Sequence, residues 1–165
     1  MATEIDHNAT KQQIVDILQA NTDLYDEDDE DKITYLEVGE PEGTPLPTPP
    51  TYPALWVTNS RTLETIIRKG INDSNNHAYL THDVNYLLKL MVTEQDSIVA
   101  EKQLDDFQKE IMETLEADIL LTGVTPLTLG PDDSWPSRVE TFRQELDGQG
   151  NRGKTITWTL LFTTT

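Results

Sequence analysis

The sequence predicts an α+β fold: a mostly antiparallel sheet with an N-terminal helix and a long central helix packed on it. Three patterns predict it. Between Val84 and Val92 the even positions Val84, Tyr86, Leu88, Leu90 and Val92 are all apolar, the period of two that lines one face of a strand. From Asp96 the period lengthens, and Ala100, Leu104, Phe107, Ile111 and Leu115 recur every three or four residues as one stripe of a helix. Near the C-terminus Ile156, Trp158, Leu160 and Phe162 alternate with Thr155, Thr157, Thr159 and Thr163, the mark of a strand with one buried and one wet face. The central helix is roughly 20 residues, about 30 Å long. It needs a surface for its stripe, and the sheet holding the Val84 strand supplies one.

Thr10 and Gln13 form a capping box, and Ile14, Ile17 and Leu18 give a helical face, so the first helix is expected from Lys11 to Ala20. Residues Asp23–Asp31 hold seven acids and read as a solvated loop, because an EF-hand would need a central glycine and a terminal glutamate in register. Lys32–Val38 reads as a strand. Gly39–Pro53 carries prolines at 41, 45, 47, 49, 50 and 53, which forbids a helix or a central strand and predicts an extended loop. Its PxxP spacing lacks the flanking base of an SH3 ligand.

Tyr52–Thr58 reads as a second strand. Arg61–Gly70 reads as a short helix stopped by Gly70, although Thr62, Thr65, Ile66 and Ile67 also suit a strand. Ile71–Asn76 reads as a polar turn. Asp96 or Ser97 caps the central helix. Ile119–Asp133 is irregular, with Gly123, Pro126, Gly130 and Pro131. Ser137–Leu146 fits a helix, through a capping box at Ser137 and Glu140, or one arm of a hairpin whose loop is Asp147–Gly153.

At 165 residues the chain has the length of one domain, taken here as 1–165, and is long enough to build a core without disulfides or metal. It has no cysteine, which excludes thiolate chemistry. Met1–Thr10 lacks the basic-then-apolar order of a secretory signal, and no stretch approaches a membrane helix. The Asn8 and Asn72 sequons therefore carry no weight. With 30 acids against 12 bases, the formal charge is −18. Such a surface repels nucleic acid; it fits an ordinary soluble acidic protein, or else a salty milieu or a lumen through which DNA slides.

No catalytic constellation is present: no cysteine nucleophile, G-x-S-x-G, P-loop, H-E-x-x-H or dinucleotide fingerprint. The expectation is a non-enzyme without cofactor. His77, His82 and Asp83 invite a zinc reading, but a spacing of five puts the histidines on opposite strand faces and no fourth ligand is evident; His7 lies far off in the N-terminal tail. No metal site is expected.

The order of elements resembles the tail terminator proteins of long-tailed phages and related viruses, also called neck or tail-completion proteins. The resemblance is carried by KQQIVDILQ as the opening helix, YPALWVT as a proline followed by an apolar strand, HDVNYLLKLMVTEQDSIVAEKQLDDFQKEIMETL as strand, polar joint and long helix, and RGKTITWTLLFTTT as the closing strand. The acidic run and the proline-rich loop depart from the short linkers usual in that family.

The resemblance implies a structural virion protein. Six copies would form a ring that stops tail-tube growth, contacts the tail tube protein and the neck or connector proteins, and passes double-stranded DNA without binding it. It implies residence at the tail–neck junction of a virion assembled in host cytoplasm, with no membrane partner. Contacts between copies or rings are expected from Gly39–Tyr52 and Thr122–Pro136, with Pro45, Pro47, Pro49, Tyr52 and Trp135 as interface residues. Trp135 serves equally well as a cover for the helix–sheet core. The alternatives are a head-completion or connector protein of the same particle, and a small acidic module that binds a protein through its prolines.

Overall fold

The computed structural model describes residues 6–39, 48–72, 77–117, 134–146 and 149–163. For residues 61–72, 77–82, 134–135, 143–146, 149 and 161–163 the backbone alone is described. Within these residues two helices, α1 (His7–Gln19) and α2 (Ser97–Ala117), accompany five strands: β1 (Tyr35–Val38), β2 (Ala54–Asn72), β3 (His77–Val92), β4 (Ser134–Leu146) and β5 (Gln149–Thr163). They form one sheet in the order β1-β2-β3-β5-β4. Only the β1–β2 pair is parallel. The α+β fold with a mostly antiparallel sheet and two helices packed on it is therefore the fold of this chain.

The period-two reading of the sheet holds residue by residue. Val84 pairs with Leu160, Tyr86 with Trp158 and Leu88 with Ile156, so the apolar positions of β3 and β5 face the same way. Leu55 and Val57 of β2 join them, and α1 and α2 close over this face with Ile14, Val15, Leu18, Ala100, Leu104, Phe107, Ile111 and Leu115. Trp158 and Tyr86 are fully buried there. Each large side chain removed from water in this layer contributes about 1.5–3 kcal/mol, which is what fixes α2, a helix with exposed acids and lysines on its other side.

Four elements differ from the sequence reading. Helix α1 begins a turn earlier, because Asp6 is the cap: its carboxylate accepts from the Ala9 amide at 3.0 Å. Thr10 sits inside the first turn, nearly inaccessible, and spends its hydroxyl on the Asp6 carbonyl at 2.9 Å. Arg61–Gly70 is strand, not helix, and Gly70 pairs with Tyr79 instead of ending anything. Pairing with β3 decided that segment, together with its β-branched Thr62, Thr65, Ile66 and Ile67. Two register shifts, between Asn59 and Glu64 and between Ile66 and Arg68, absorb its irregularity.

Correspondingly, β3 starts at His77 instead of Val84, and Ile71 and Asn72 belong to β2 instead of a turn. The Ser137–Leu146 ambiguity resolves to strand: β4 pairs with β5 from Ser134↔Leu160 to Leu146↔Gln149. Pro136 is accommodated because β4 is an edge strand with a register shift between Pro136 and Arg138. Ser137 takes a hydrogen bond from Thr159 at 2.8 Å, so the proposed cap serves the hairpin.

Candidate interaction surfaces

Three surfaces stand out from the core. The first is the acidic loop between α1 and β1. Main-chain amides of Asp28 and Asp31 donate to the carboxylates of Asp26 and Asp29 at 2.9 and 3.0 Å, two Asx turns that give the loop a fixed shape. Tyr25 and Ile33 bridge its base. Asp23, Asp26, Glu27, Asp28, Glu30 and Asp31 are exposed, while Asp29 faces the Lys32 amine at 3.8 Å. Burial, then the carboxylates of Glu27, Glu37 and Asp26, push the Tyr25 phenol above its ordinary range. A cleft of about 450 Å³ runs from Glu30 and Asp31 to Tyr52, Val92 and Glu94. The loop thus sits at the end of the sheet where β2 begins and β3 finishes.

The second surface is the sheet face turned away from the helices. Ala54, Trp56 and Met91 are buried on it, packed by Tyr35, Tyr52 and Phe142. Tyr35 meets Trp56 edge-on, with ring centroids 5.8 Å apart. Gly39 lies so close that a Cβ there would stand 2.8 Å from Thr58 Cγ2 and 3.1 Å from Trp56 Cβ. Trp56 Nε1, Thr58 Oγ1, Asp83 Oδ1 and Asn151 Oδ1, all on this face by strand alternation, are buried with no hydrogen-bond partner. Burial also raises the Asp83 carboxyl above the ordinary carboxylate value. Buried polar atoms without partners are costly, about 1–3 kcal/mol each, so this face is less finished than the helix-covered one.

The third surface is the arm made by the far halves of β2 and β3. The β3–β5 ladder ends at Thr81↔Thr163, whereas β2 and β3 stay paired out to Asn72↔His77. On its other side β2 is paired over Ala54–Val57, by β1. From Asn59 to Asn72 no strand among the described residues pairs with its outer edge. The arm and the acidic loop therefore occupy opposite ends of the sheet.

Of the expected interface residues, Pro45 and Pro47 lie outside the described residues, as does most of Thr122–Pro136. Pro49 is buried and Tyr52 half-buried. The Tyr52 hydroxyl accepts from Asn151 at 3.4 Å, which ties the end of the proline-rich loop to β5. Trp135 lies on β4 opposite Thr159. His77 and His82 stand on β3 opposite Asn72 and Ile66; His7 Nδ1 is 2.8 Å from the Tyr86 hydroxyl. Among the described residues no three His, Cys, Asp or Glu side chains are grouped to hold a metal ion, and no helix is long and apolar enough to cross a membrane. The arm was missed because its β-branched residues sit inside a pattern that also fits a helix; the run Thr62–Ile67 was the signal for it.

No family model matches the chain, and no curated protein matches it. A solved structure titled "Virion of native gene transfer agent (GTA) particle" aligns over 96% of this chain and 95% of that one, at 13% sequence identity and a TM-score of 0.39. A superposition that loose does not establish a common fold.

Proposed function

We propose that this chain is a structural, non-catalytic virion subunit that assembles into a ring, ends a tail tube and joins the tail to the neck. The observation that carries this reading is the open edge of β2. Among the described residues, the outer edge of this 19-residue strand is paired over four residues, and a long edge of that kind is a template for pairing with another chain. A two-stranded ribbon is marginal in water, so an arm of this kind is built to be covered by another chain. The ordered series of segments that resembles tail terminators supplies the kind of assembly. The charge of −18 fits a bore that passes DNA, since its wall repels the phosphates.

The test is native mass by light scattering after gel filtration, at low and at molar salt, followed by co-sedimentation with purified tail tubes. A particle near six times 18.7 kDa, or a chain that pellets with tubes, supports the ring, which repeated head-to-tail contacts would close. A monomer in both salts that stays in the supernatant overturns it.

A further inference from the structure

We infer that the β2–β3 arm docks on the acidic loop of a second copy of this chain, through a head-to-tail ionic contact. The inference rests on the ring reading for its repetition around a closed assembly. The contact itself stands on how charge is laid out along the sheet.

Residues 59–82 hold three of the chain's 12 bases, Arg61, Arg68 and Lys69, and only two of its 30 acids, Glu64 and Asp73. The arm is thus a cationic segment in a protein of formal charge −18. At the other end, Asp23–Asp31 concentrates seven acids on a loop shaped by its own Asx turns. Among the described residues, Asp29 faces the Lys32 amine at 3.8 Å, and the other acids of the loop are exposed. By strand rise, β2 carries the two ends apart by roughly 50–60 Å from Ala54 to Asn72. An arm cannot fold back on its own loop over that distance, so the acid-rich partner it meets belongs to another molecule.

Charge also selects among the partners. Two arms laid antiparallel would set Arg61, Arg68 and Lys69 of one against those of the other, which disfavours a symmetric arm-to-arm dimer. A duplex would meet three bases against the field of a strongly anionic body, too few phosphate contacts for useful affinity. The loop of a second copy offers opposite charge, fixed geometry and, through its location at the far sheet end, a contact that repeats in one direction. Such a heterologous contact generates rings when its rotation closes.

The experiment is a charge exchange on the full chain. One variant reverses the arm (Arg61→Glu, Arg68→Glu, Lys69→Glu); the other reverses the loop at its exposed positions outside the two turn-forming carboxylates (Asp23→Lys, Glu27→Lys, Asp28→Lys, Glu30→Lys, Asp31→Lys), leaving five bases against two acids. Each is checked by circular dichroism, and self-association is read by sedimentation velocity, in solution and on tail tubes. Either variant by itself should associate about tenfold or more weakly than the parent chain. A mixture of the two should recover association, because the reversed arm then meets the reversed loop and the parent pair meets in the alternate contact. If the reversed arm perturbs folding, Arg68→Gln with Lys69→Gln should still weaken association in the same direction.

Full association of both variants overturns the arm–loop contact and leaves the ring reading standing. A parent chain that never associates, in solution or on tubes, overturns both. Variants that stay assembled but lose binding to a short DNA duplex overturn the contact in favour of nucleic acid.

Discussion

Gly153 is where a single methyl group should be felt most clearly. Its backbone is ordinary extended strand, so the need for glycine there is one of space and not of dihedral angle. A Cβ at this position would lie 2.3 Å from Phe142 Cζ, 2.6 Å from Phe142 Cε1 and 2.4 Å from the Leu90 carbonyl oxygen. Phe142 pairs with Gly153 across β4 and β5 and lays its ring over the missing side chain toward Trp56 and Met91. That ring is half-buried and can swing. The Leu90 carbonyl cannot move so freely, because Leu90 and Met91 are laddered to Lys154 and Gly153.

Overpacking of this kind costs about 1–3 kcal/mol, and a strained ladder hydrogen bond adds up to about 1 kcal/mol. Alanine recovers about 0.4–1 kcal/mol by restricting the unfolded chain. Gly153→Ala should therefore destabilise by about 2 kcal/mol, which for a chain of this size lowers Tm by about 4–8 °C. Urea unfolding followed by tryptophan fluorescence gives the number. Placing Gly153→Ala on a Phe142→Ala background separates the two clashes: a penalty that disappears belongs to the ring, and one that persists belongs to the Leu90 carbonyl. A variant as stable as the parent, as strand propensity by itself would have it, refutes the packing argument.

Two further outcomes follow from named groups. Asp6→Ala removes the carboxylate that caps α1 and should lower stability by about 1 kcal/mol, with Asp6→Asn restoring most of it; a denaturant melt of the three proteins decides it, and equal midpoints would mean the cap is idle. Asp83 is half-buried, with one carboxylate oxygen unpartnered and its pKa raised by burial. The folded protein then holds that proton more tightly than the unfolded chain. The stability tied to Asp83 is full below its unfolded pKa of about 3.9 and is lost as pH rises through the higher folded value. Asp83→Asn should thus raise stability by about 1 kcal/mol near neutrality. The gain should fade in acid, below about pH 4. A gain that is the same at both pH values would assign it to something other than ionisation.

Much of this molecule could be read directly from residue order. The even positions Val84–Val92, the Ala100–Leu115 stripe and the Ile156–Leu160 alternation each declare a face, because burial follows a fixed period in each kind of backbone. Those three patterns determined the sheet, the long helix and the α+β class. Composition determined the absence of thiol chemistry and the anionic surface. Other features needed the third dimension. Arg61–Gly70 carries residues that tolerate either state, and pairing with Tyr79–Val84 turned it into strand. Thr10 looked like a cap until Asp6 reached the Ala9 amide first. Ser137 and Glu140 spell a helix start, yet hydrogen bonding to β5 made them an edge strand.

The same division holds for the candidate surfaces. Seven acids in nine residues are visible in the sequence, as are Arg61, Arg68 and Lys69. That the two groups stand at opposite ends of one sheet, with no described strand on the outer edge of β2 between Asn59 and Asn72, depends on strand order and register. Local propensity is a property of neighbours in the chain and can be summed along it. Edges, ends and unpartnered atoms such as Trp56 Nε1 depend on contacts between residues far apart in sequence, and only the folded arrangement decides which of those contacts form.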